Sequence, residues 1–369
     1  MYEQADLDQT TRPKPDRGFC RMNLAVRRAS LTDDREEIVE LLNRNFEPGQ
    51  EKRFEWRHLN HPAGPAWCWF VYDRDSGTTV ATASVYPRRM FVAGKKLLCG
   101  QVGGFAVEAA YRSLGPAVLM QRTTFEPADS GLVAFCYDSP PHARGMSTFV
   151  RLGMQPNCEI SRYVLPLRSD AFLEKKLGNA VWTKALIVAT NLLLRAAGPN
   201  ARPAMPGLEI SEFEGAFSEE FSYLDCDPST LNGVRATRAA EDLNWYYREN
   251  PGSDFRVLVA RRAGGLLGYL TYLVYEERVL VVDVFCRQLA SVGVALVDAL
   301  LALARRDKRL LLEAYCSGGS ELRVIFKSLG FRERERAAHV VAHEKSNGHA
   351  GKLLNTGVPW AFSQFDVLV

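Results

Sequence analysis

The stretch VGGFAVEAAYRSLGPAVLMQR, residues 102–122, decides the fold. Its first part is an apolar run that predicts a strand ending at Val107. A polar turn follows, and Gly115-Pro116-Ala117 opens an apolar-periodic segment. Val118, Leu119, Met120 and then Phe125 give that segment the buried side of a helix packed back on the strand. Between strand and helix sits Arg112-Ser113-Leu114-Gly115-Pro116-Ala117. A strand, a tight turn and a helix start aim several backbone N–H groups and the positive end of a helix dipole at one point. A phosphate or pyrophosphate suits such a point, and Arg112 adds a charged fork. Pro116 removes one donor, but in a helix's first turn that N–H has no helical partner to lose.

Working outward, 369 residues exceed what one core usually serves, so two domains are expected. The apolar content of 47% and charged content of 24% are those of an ordinary soluble globular protein. A formal charge of +3 argues against a nucleic-acid binder working through a broad basic surface. The eight cysteines are scattered, without a C-x-x-C pair or a His/Cys cluster at metal spacing. Buried thiols in a reducing cytoplasm are the expectation. Residues 1–22 are polar, carry prolines and charges, lack the pattern of a signal peptide, and read as a mobile tail.

In the first half, Leu24–Arg28 reads as a strand. Thr32 reads as a helix cap, with Asp33 and Asp34 in the first turn and Ile38, Leu41, Leu42 and Phe46 on the apolar face. A second helix over 51–60 carries Phe54, Trp56 and Leu59. Strands at 66–73 and 79–86 and a hairpin around Gly94 lead to Val107. Beyond the Gly115 helix come a strand at 131–137, a Pro-rich loop at 138–144, and a helix at 146–152 closed by Gly153.

The second half repeats this order. Trp56 precedes Pro62 by six residues, and Trp245 precedes Pro251 by six. Gly115 precedes the Leu-Gly glycine Gly153 by 38 residues, and Gly293 precedes Gly330 by 37. Matching order and spacing indicate two copies of one domain. The copies differ where it matters for an anion: Ala290 stands in the second turn where Arg112 stands in the first. Between them, Asp170–Ala197 reads as a helical linker with a ten-residue apolar core, Ala185–Leu194. That run is short of the ~20 residues a membrane span needs. It is expected to pack between the copies, the other reading being peripheral contact of 185–194 with a membrane. Gly198-Pro199-Asn200 and Pro203–Pro206 mark a boundary. The expected divisions are a tail at 1–22, a domain at 23–166, a linker at 167–206, a domain at 207–345 and a tail at 346–369.

The R-x-x-G-x-A turn at 112–117 resembles the pyrophosphate-binding segment of the GNAT superfamily, the acyl-CoA-dependent N-acyltransferases. The order of elements and the helix ends Leu152-Gly153-Met154 and Leu329-Gly330-Phe331 resemble that family too. The W-x5-P segments, the Y-R-S-L-G-P-A turn and Trp360–Asp366 are similar to two-copy GNAT proteins of bacterial polysaccharide clusters. The resemblance, over 24–166 and 207–343, implies an α/β fold with a mixed sheet, built as two GNAT-like domains in tandem. It implies acyl-CoA, acetyl-CoA first, as co-substrate, held by Phe105, Ala106, Val107, Arg112, Ser113, Leu114, Gly115, Pro116 and Ala117. The Val107 N–H would polarise the thioester carbonyl.

The family's acid, a tyrosine in the last helix, falls here on Phe149 and Phe326, and its glutamate base on Gly103 or Gly104. Neither phenylalanine gives a proton. Tyr137, at a strand end facing the turn, and His142, in the loop after it, are the replacements, unless they are a packed phenol and a solvated loop residue. Asp283 lies among Val279–Val282, Val284 and Phe285, where a carboxylate must be paired, functional or aimed into a cleft. His339 and His343 lie in a closing strand without zincin spacing, so no metal is expected.

Two function classes compete. One is acyl transfer from acyl-CoA to a primary amine such as an amino sugar, in a bacterial cytoplasm. The other is a catalytically inactive tandem fold that binds CoA, an acyl chain or a protein partner. Aminoacyl-tRNA-dependent transfer, as in FemABX-like proteins, sits poorly with the small net charge.

Overall fold

The computed structural model describes residues 23–112, 114–140, 143–178, 180–196, 205–345, 354 and 357–367. The expected tail at 1–22, half of that at 346–369, Gly198-Pro199-Asn200 and the site residues Ser113 and His142 lie outside these.

The first half runs β1 (Leu24–Ala29), α1 (Arg35–Asn45), α2 (Gln50–Phe54) with a π turn at Glu55–Leu59, β2 (Trp67–Asp73), β3 (Thr79–Val92) and β4 (Lys95–Val107). It continues with α3 (Leu114–Thr123), α4 (Glu126–Asp129), β5 (Cys136–Asp138), α5 (Ala143–Arg151) and β6 (Cys158–Pro166). Two helices follow, α6 (Asp170–Leu177) and α7 (Val181–Ala196). The second half runs β7 (Leu208–Glu212), α8 (Glu219–Asp225), β8 (Val234–Ala236), α9 (Ala240–Tyr247), β9 (Arg256–Arg262), β10 (Gly265–Tyr275) and β11 (Arg278–Cys286). Its remainder is α10 (Val294–Arg306), β12 (Leu311–Ser317), α11 (Leu322–Ser328), β13 (Arg332–His343) and α12 (Gln364–Val367).

Local chemistry explains the departures from the sequence reading. The cap of α1 is Asp34 in place of Thr32: its carboxylate takes Arg27 Nη1 and Nη2 at 2.7 and 2.9 Å and the Ser30 N–H at 2.8 Å. The strand expected at 131–137 shrinks to Cys136–Asp138. β3 runs through Pro87, which faces Gly100 across the hairpin. Gly100 donates its N–H to Phe135 on the other side, so this is a non-hydrogen-bonded pair and Pro87 costs the hairpin no donor. Ala93 and Gly94 turn the hairpin with φ of 48° and 78°, the left-handed pair that a two-residue loop demands.

The strands do not close into two separate sheets. They form one mixed sheet in the order β1-β2-β3-β4-β5-β13-β6-β12-β11-β10-β9-β7, with β8 added on β3. Read from either edge, the series is the same: three antiparallel pairings, then a parallel one, β4 with β5 and β11 with β12. The last strand of each half has crossed over. β13 pairs with β5, β6 pairs with β12, and the two pair with each other at the centre. The sheet therefore runs unbroken across the boundary expected at 166.

Side-chain contacts tie the halves as firmly as the sheet does. The indoles of Trp56 and Trp245 stack at 4.6 Å, and each Nε1 donates to the other's carbonyl, at 2.7 and 2.9 Å. The chain's last described segment is clamped by charge. Arg238, 2% exposed, donates to Asp366 at 2.7 and 2.9 Å and to Asp283 at 3.2 and 3.3 Å. Asp366 also takes the N–H groups of Ala236 and Ser363, both at 2.8 Å. Burial alone would raise the Asp366 carboxyl, but Arg238 holds it below its ordinary value. From the first half, Arg88 donates to Phe365 O at 2.7 Å and Tyr137 to Asp366 O at 3.1 Å.

The linker departs most from expectation. It is two helices, and α7 is turned outward: Val181, Trp182, Val188, Leu192 and Leu193 are exposed. Among the described residues no helix is long and apolar enough to cross a membrane.

Removing one partner of a buried ion pair strands the other, at about 3–5 kcal/mol. Asp366→Ala is therefore expected to lower the unfolding free energy by that amount in a urea titration. A loss below about 1 kcal/mol would show that the clamp is dispensable.

Candidate functional site

The site grows out of one broken pairing. β4 meets β5 only at Gly100 with Cys136 and at Gln101 with Tyr137, while its other edge stays paired with β3 as far as Val107. From Val102 to Val107 the β5-side edge of β4 has no strand partner among the described residues. That leaves main-chain donors and acceptors on a half-buried edge, where a ligand can take them.

A bulge sharpens the opening. The β3–β4 register shifts between Thr82 and Ser84, opposite Gly103–Ala106, and Gly104 has φ of +58°. A Cβ on Gly103 would lie 2.9 Å from the Tyr86 ring, and one on Gly104 3.2 Å from the Tyr86 hydroxyl. The position where a glutamate base falls in the resembled family is thus occupied by backbone seated on Tyr86. Under it, Tyr86 Oη meets His58 Nε2 at 3.2 Å. Desolvation by burial lowers His58 to about 3 and raises Tyr86 to about 12, so both stay neutral and serve as packing.

After this edge the chain turns into α3. The leading N–H groups of a helix have no partner within it, and here Leu114 and Gly115 carry them while Pro116 has none. Gly115 is exposed and lines a groove of about 370 Å³ with Val118, Leu119, Arg122 and Arg151. The groove runs between α3 and α5, with a guanidinium from each helix. Arg112 plays a different part from the one expected. Its Nε donates to Val107 O at 3.1 Å and its Nη2 to Asn45 Oδ1 at 3.0 Å, which fixes the end of β4. Phe105 and Val107 are half-buried and Ala106 is buried, as a strand with one open edge requires.

The proposed proton carriers fare unevenly. Tyr137 is fully buried in the cluster around Phe135, Trp360 and Phe362, and its hydroxyl is spent on Asp366 O. Burial pushes its phenol far up, which suits a packed phenol and not an acid. Asp283 is 2% exposed and fully engaged by Arg238, Tyr269 at 3.0 Å and Ser363 at 2.8 Å, so it is a structural counter-ion. Neither faces the Gly115 groove. His142 lies outside the described residues. Phe149 is buried against Phe125, in the place of the expected acid.

Sequence reasoning missed three residues. Two are Arg122 and Arg151, which lie on α3 and α5 and line the groove. The third is Asp138, one residue past the last β4–β5 pair. Strand alternation puts it on the face of Cys136, toward α3 and α5. It is half-buried, and burial raises its carboxyl to about 7 against a Ser139 N–H at 2.6 Å. Beside it the buried Ser139 Oγ has no hydrogen-bond partner among the described residues. No sequence signal marked Asp138, because a strand-end aspartate before a Pro-rich loop reads as turn chemistry.

The equivalent turn in the second half is wound differently: the N–H groups of Ser291, Val292 and Gly293 all donate to Gln288 O, at 2.8–3.3 Å, in a π turn over Leu289–Gly293, behind the leading N–H groups of Leu289 and Ala290. His339 and His343 reach Glu159 and Asp129, and no metal-holding group of His, Cys, Asp and Glu occurs among the described residues.

Comparison with known proteins agrees with this geometry. The family model of the acetyltransferase (GNAT) domain matches residues 25–142, the half that holds the open edge and the turn. No curated protein matches the chain significantly. Among solved structures, a conserved protein of Enterococcus faecalis V583 described as a probable N-acyltransferase has a TM-score of 0.64 at 12% identity, over 87% of this chain and 72% of that one. A GCN5-related N-acetyltransferase of Anabaena variabilis ATCC 29413 has 0.61 at 10% identity, over 90% and 73%. Saccharomyces cerevisiae N-myristoyltransferase, solved with myristoyl-CoA bound, has 0.57 at 11%, over 94% and 86%. The chain thus carries a GNAT acetyltransferase domain match in its first half and, over most of its length, the fold of GNAT N-acyltransferases.

Proposed function

We propose that the chain is an N-acyltransferase built from two GNAT-like copies, with a single acyl-CoA site in the first. The observation that carries this is a strand, β4, whose β5-side edge is open from Val102, leading into a helix whose exposed Gly115 lines a groove with two arginines. The identical pairing series from both sheet edges supports two copies with exchanged last strands. In this reading the pyrophosphate sits on the N–H groups of Leu114 and Gly115, with Arg122 and Arg151 along the groove. The pantetheine chain pairs with β4, and an N–H near Val107 polarises the thioester carbonyl. A neutral primary amine attacks, the C–S bond breaks, and the amine's proton ends on the departing thiolate. Asp138 is the group that relays it, a carboxyl poised near neutral pH at the strand opening.

The acyl group is acetyl or another short chain, and the acceptor a small amine, with an amino sugar the first to test. The resemblance to proteins of bacterial polysaccharide clusters supports that choice. A cytoplasmic setting is part of the proposal, supported by seven described cysteines that are all free. A second reading, a non-catalytic binder of CoA or a partner, is favoured by one fact: Tyr137 and Asp283 are structural and Phe149 replaces the expected acid.

Calorimetry with acetyl-CoA is expected to give one site per chain, lost in Gly115→Trp and kept in Gly293→Trp, with folding of both checked by circular dichroism. Two equal sites, or loss only in the second variant, would refute the assignment. Asp138→Asn is expected to lower kcat about 10²–10⁴-fold with CoA binding nearly unchanged, and to remove a pH-rate limb near 7. Full activity in Asp138→Asn would free this carboxyl of any role. Failure of every amine in a broad screen to release CoA, with binding intact, would favour the non-catalytic reading.

Stability gives a further handle. The folded state holds Asp138 protonated up to about pH 7, whereas an unfolded aspartate ionises near 4. Its contribution is therefore lost as pH rises from about 4 to 7 and stays lost above. Asp138→Asn should be more stable than the parent at pH 8, and the gap should vanish at pH 4. A gap that widens on acidification would contradict the raised carboxyl.

A further inference from the structure

The polarity of α7 is inverted. Its inward stripe is Thr183, Ile187, Thr190, Asn191 and Leu194, with Thr183 fully buried. Asn191 fastens the helix to the start of α6: its Oδ1 takes Ser169 N and Oγ at 2.8 and 3.0 Å, and its Nδ2 donates to Asp170 at 2.7 Å. The outward face holds Val181 (86% exposed), Trp182 (57%), Val188 (60%), Leu192 (60%) and Leu193 (68%). A helix that points its polar residues at the protein and its large apolar ones outward is built for a second apolar phase. At 16 residues it is about 24 Å long, too short to span a bilayer and long enough to lie in its surface.

Charge around it selects the phase. α6 and α7 expose Lys175, Lys176 and Lys184. The strand leading into α6 is tied to the turn Arg305-Arg306-Asp307-Lys308-Arg309, four cations and one carboxylate. Leu167 and Arg168 donate their N–H groups to Leu310 O, and Arg168 Nη1 reaches Lys308 O at 2.9 Å. Against these stand Asp170, held by Arg168 and Asn191, and the exposed Glu174, Glu276 and Glu277. Seven cations against five carboxylates, without counting Arg168, leave this end of the molecule basic beside its apolar helix. Basic side chains flanking an apolar helix with a tryptophan match an anionic lipid surface, headgroups to the cations and acyl boundary to the helix.

We propose that α7 docks the protein on an anionic membrane, lying in the interface with Trp182, Val188, Leu192 and Leu193 immersed. This stands apart from the acyl-transfer reading: it uses none of the groove residues. The test is co-sedimentation of the full chain with phosphatidylcholine vesicles, with and without phosphatidylglycerol. Binding is expected only with phosphatidylglycerol and is weakened by salt. Trp182→Glu with Leu193→Glu should abolish it with unchanged circular dichroism and CoA binding, since both side chains are already solvent-exposed. Lys176→Glu with Lys184→Glu should lower it by about fivefold or more per residue. The proposal is overturned if the parent stays in the supernatant with both vesicles, or if the double glutamate variant at 182 and 193 still pellets. It is equally overturned if light scattering shows a dimer that this variant dissolves while vesicles bind neither form.

Discussion

The pairing of β6 with β13 at the centre of the sheet is the constraint on which everything else rests. β6 also pairs with β12 of the second half, and β13 with β5 of the first, so the strands of the two halves alternate at the centre. Antiparallel pairing satisfies main-chain groups that would otherwise be buried unmet, so neither half can be lifted away without exposing two new edges. The Trp56–Trp245 stack joins the halves as well, and the segment that Arg238 clamps within the second half is reached from the first by Arg88 and Tyr137. Four hydrogen bonds from one buried guanidinium to two carboxylates are costly to assemble and more costly to break, which favours all-or-none folding.

The two halves share a pairing series and differ in their turns. In the second, the N–H groups of Ser291, Val292 and Gly293 are drawn onto Gln288 O in a π turn, whereas α3 opens with Gly115 exposed on a groove that Arg122 and Arg151 also line. Ala290 stands in the second turn where Arg112 stands in the first, and Arg112 ties the end of β4 to Asn45.

How much was legible follows from where the information is local. The strand–turn–helix at 102–122 is written in periodicity and turn residues, and the structure places β4 and α3 on it. The spacing of Trp56 and Trp245 pointed to a repeat, though not to the two indoles meeting. Strand exchange was invisible, because β6 and β13 carry the same alternation whichever neighbour they take. Tyr137 was misjudged for a related reason. A strand-end phenol faces a cleft or a core according to what covers it, and the cover, Trp360–Asp366, comes from the far end of the chain. Asp283, open to three readings and offered as an acid–base group, proved to be paired, and the partner Arg238 gave no signal of its own. The α7 face misled by composition: an apolar run was read as buried, and its few polar residues turned out to be the ones that pack.

The order of the chain adds a consequence for the site. β5 is three residues long and holds β4 at only two positions, so its other edge decides where it sits. That edge is Val341–His343, the end of β13. The opening between β4 and β5, and with it the placement of Asp138, is set by a strand more than two hundred residues further on. Contacts of such separation are the last a chain can close, since loop entropy is spent before they form. A ribosome-bound chain holding the complete first half, groove arginines included, still lacks the strand that aligns them. The alignment of the β4–β5 opening is therefore a property of the finished sheet, and the part of the chain that the domain model matches, residues 25–142, does not contain the strand that sets it.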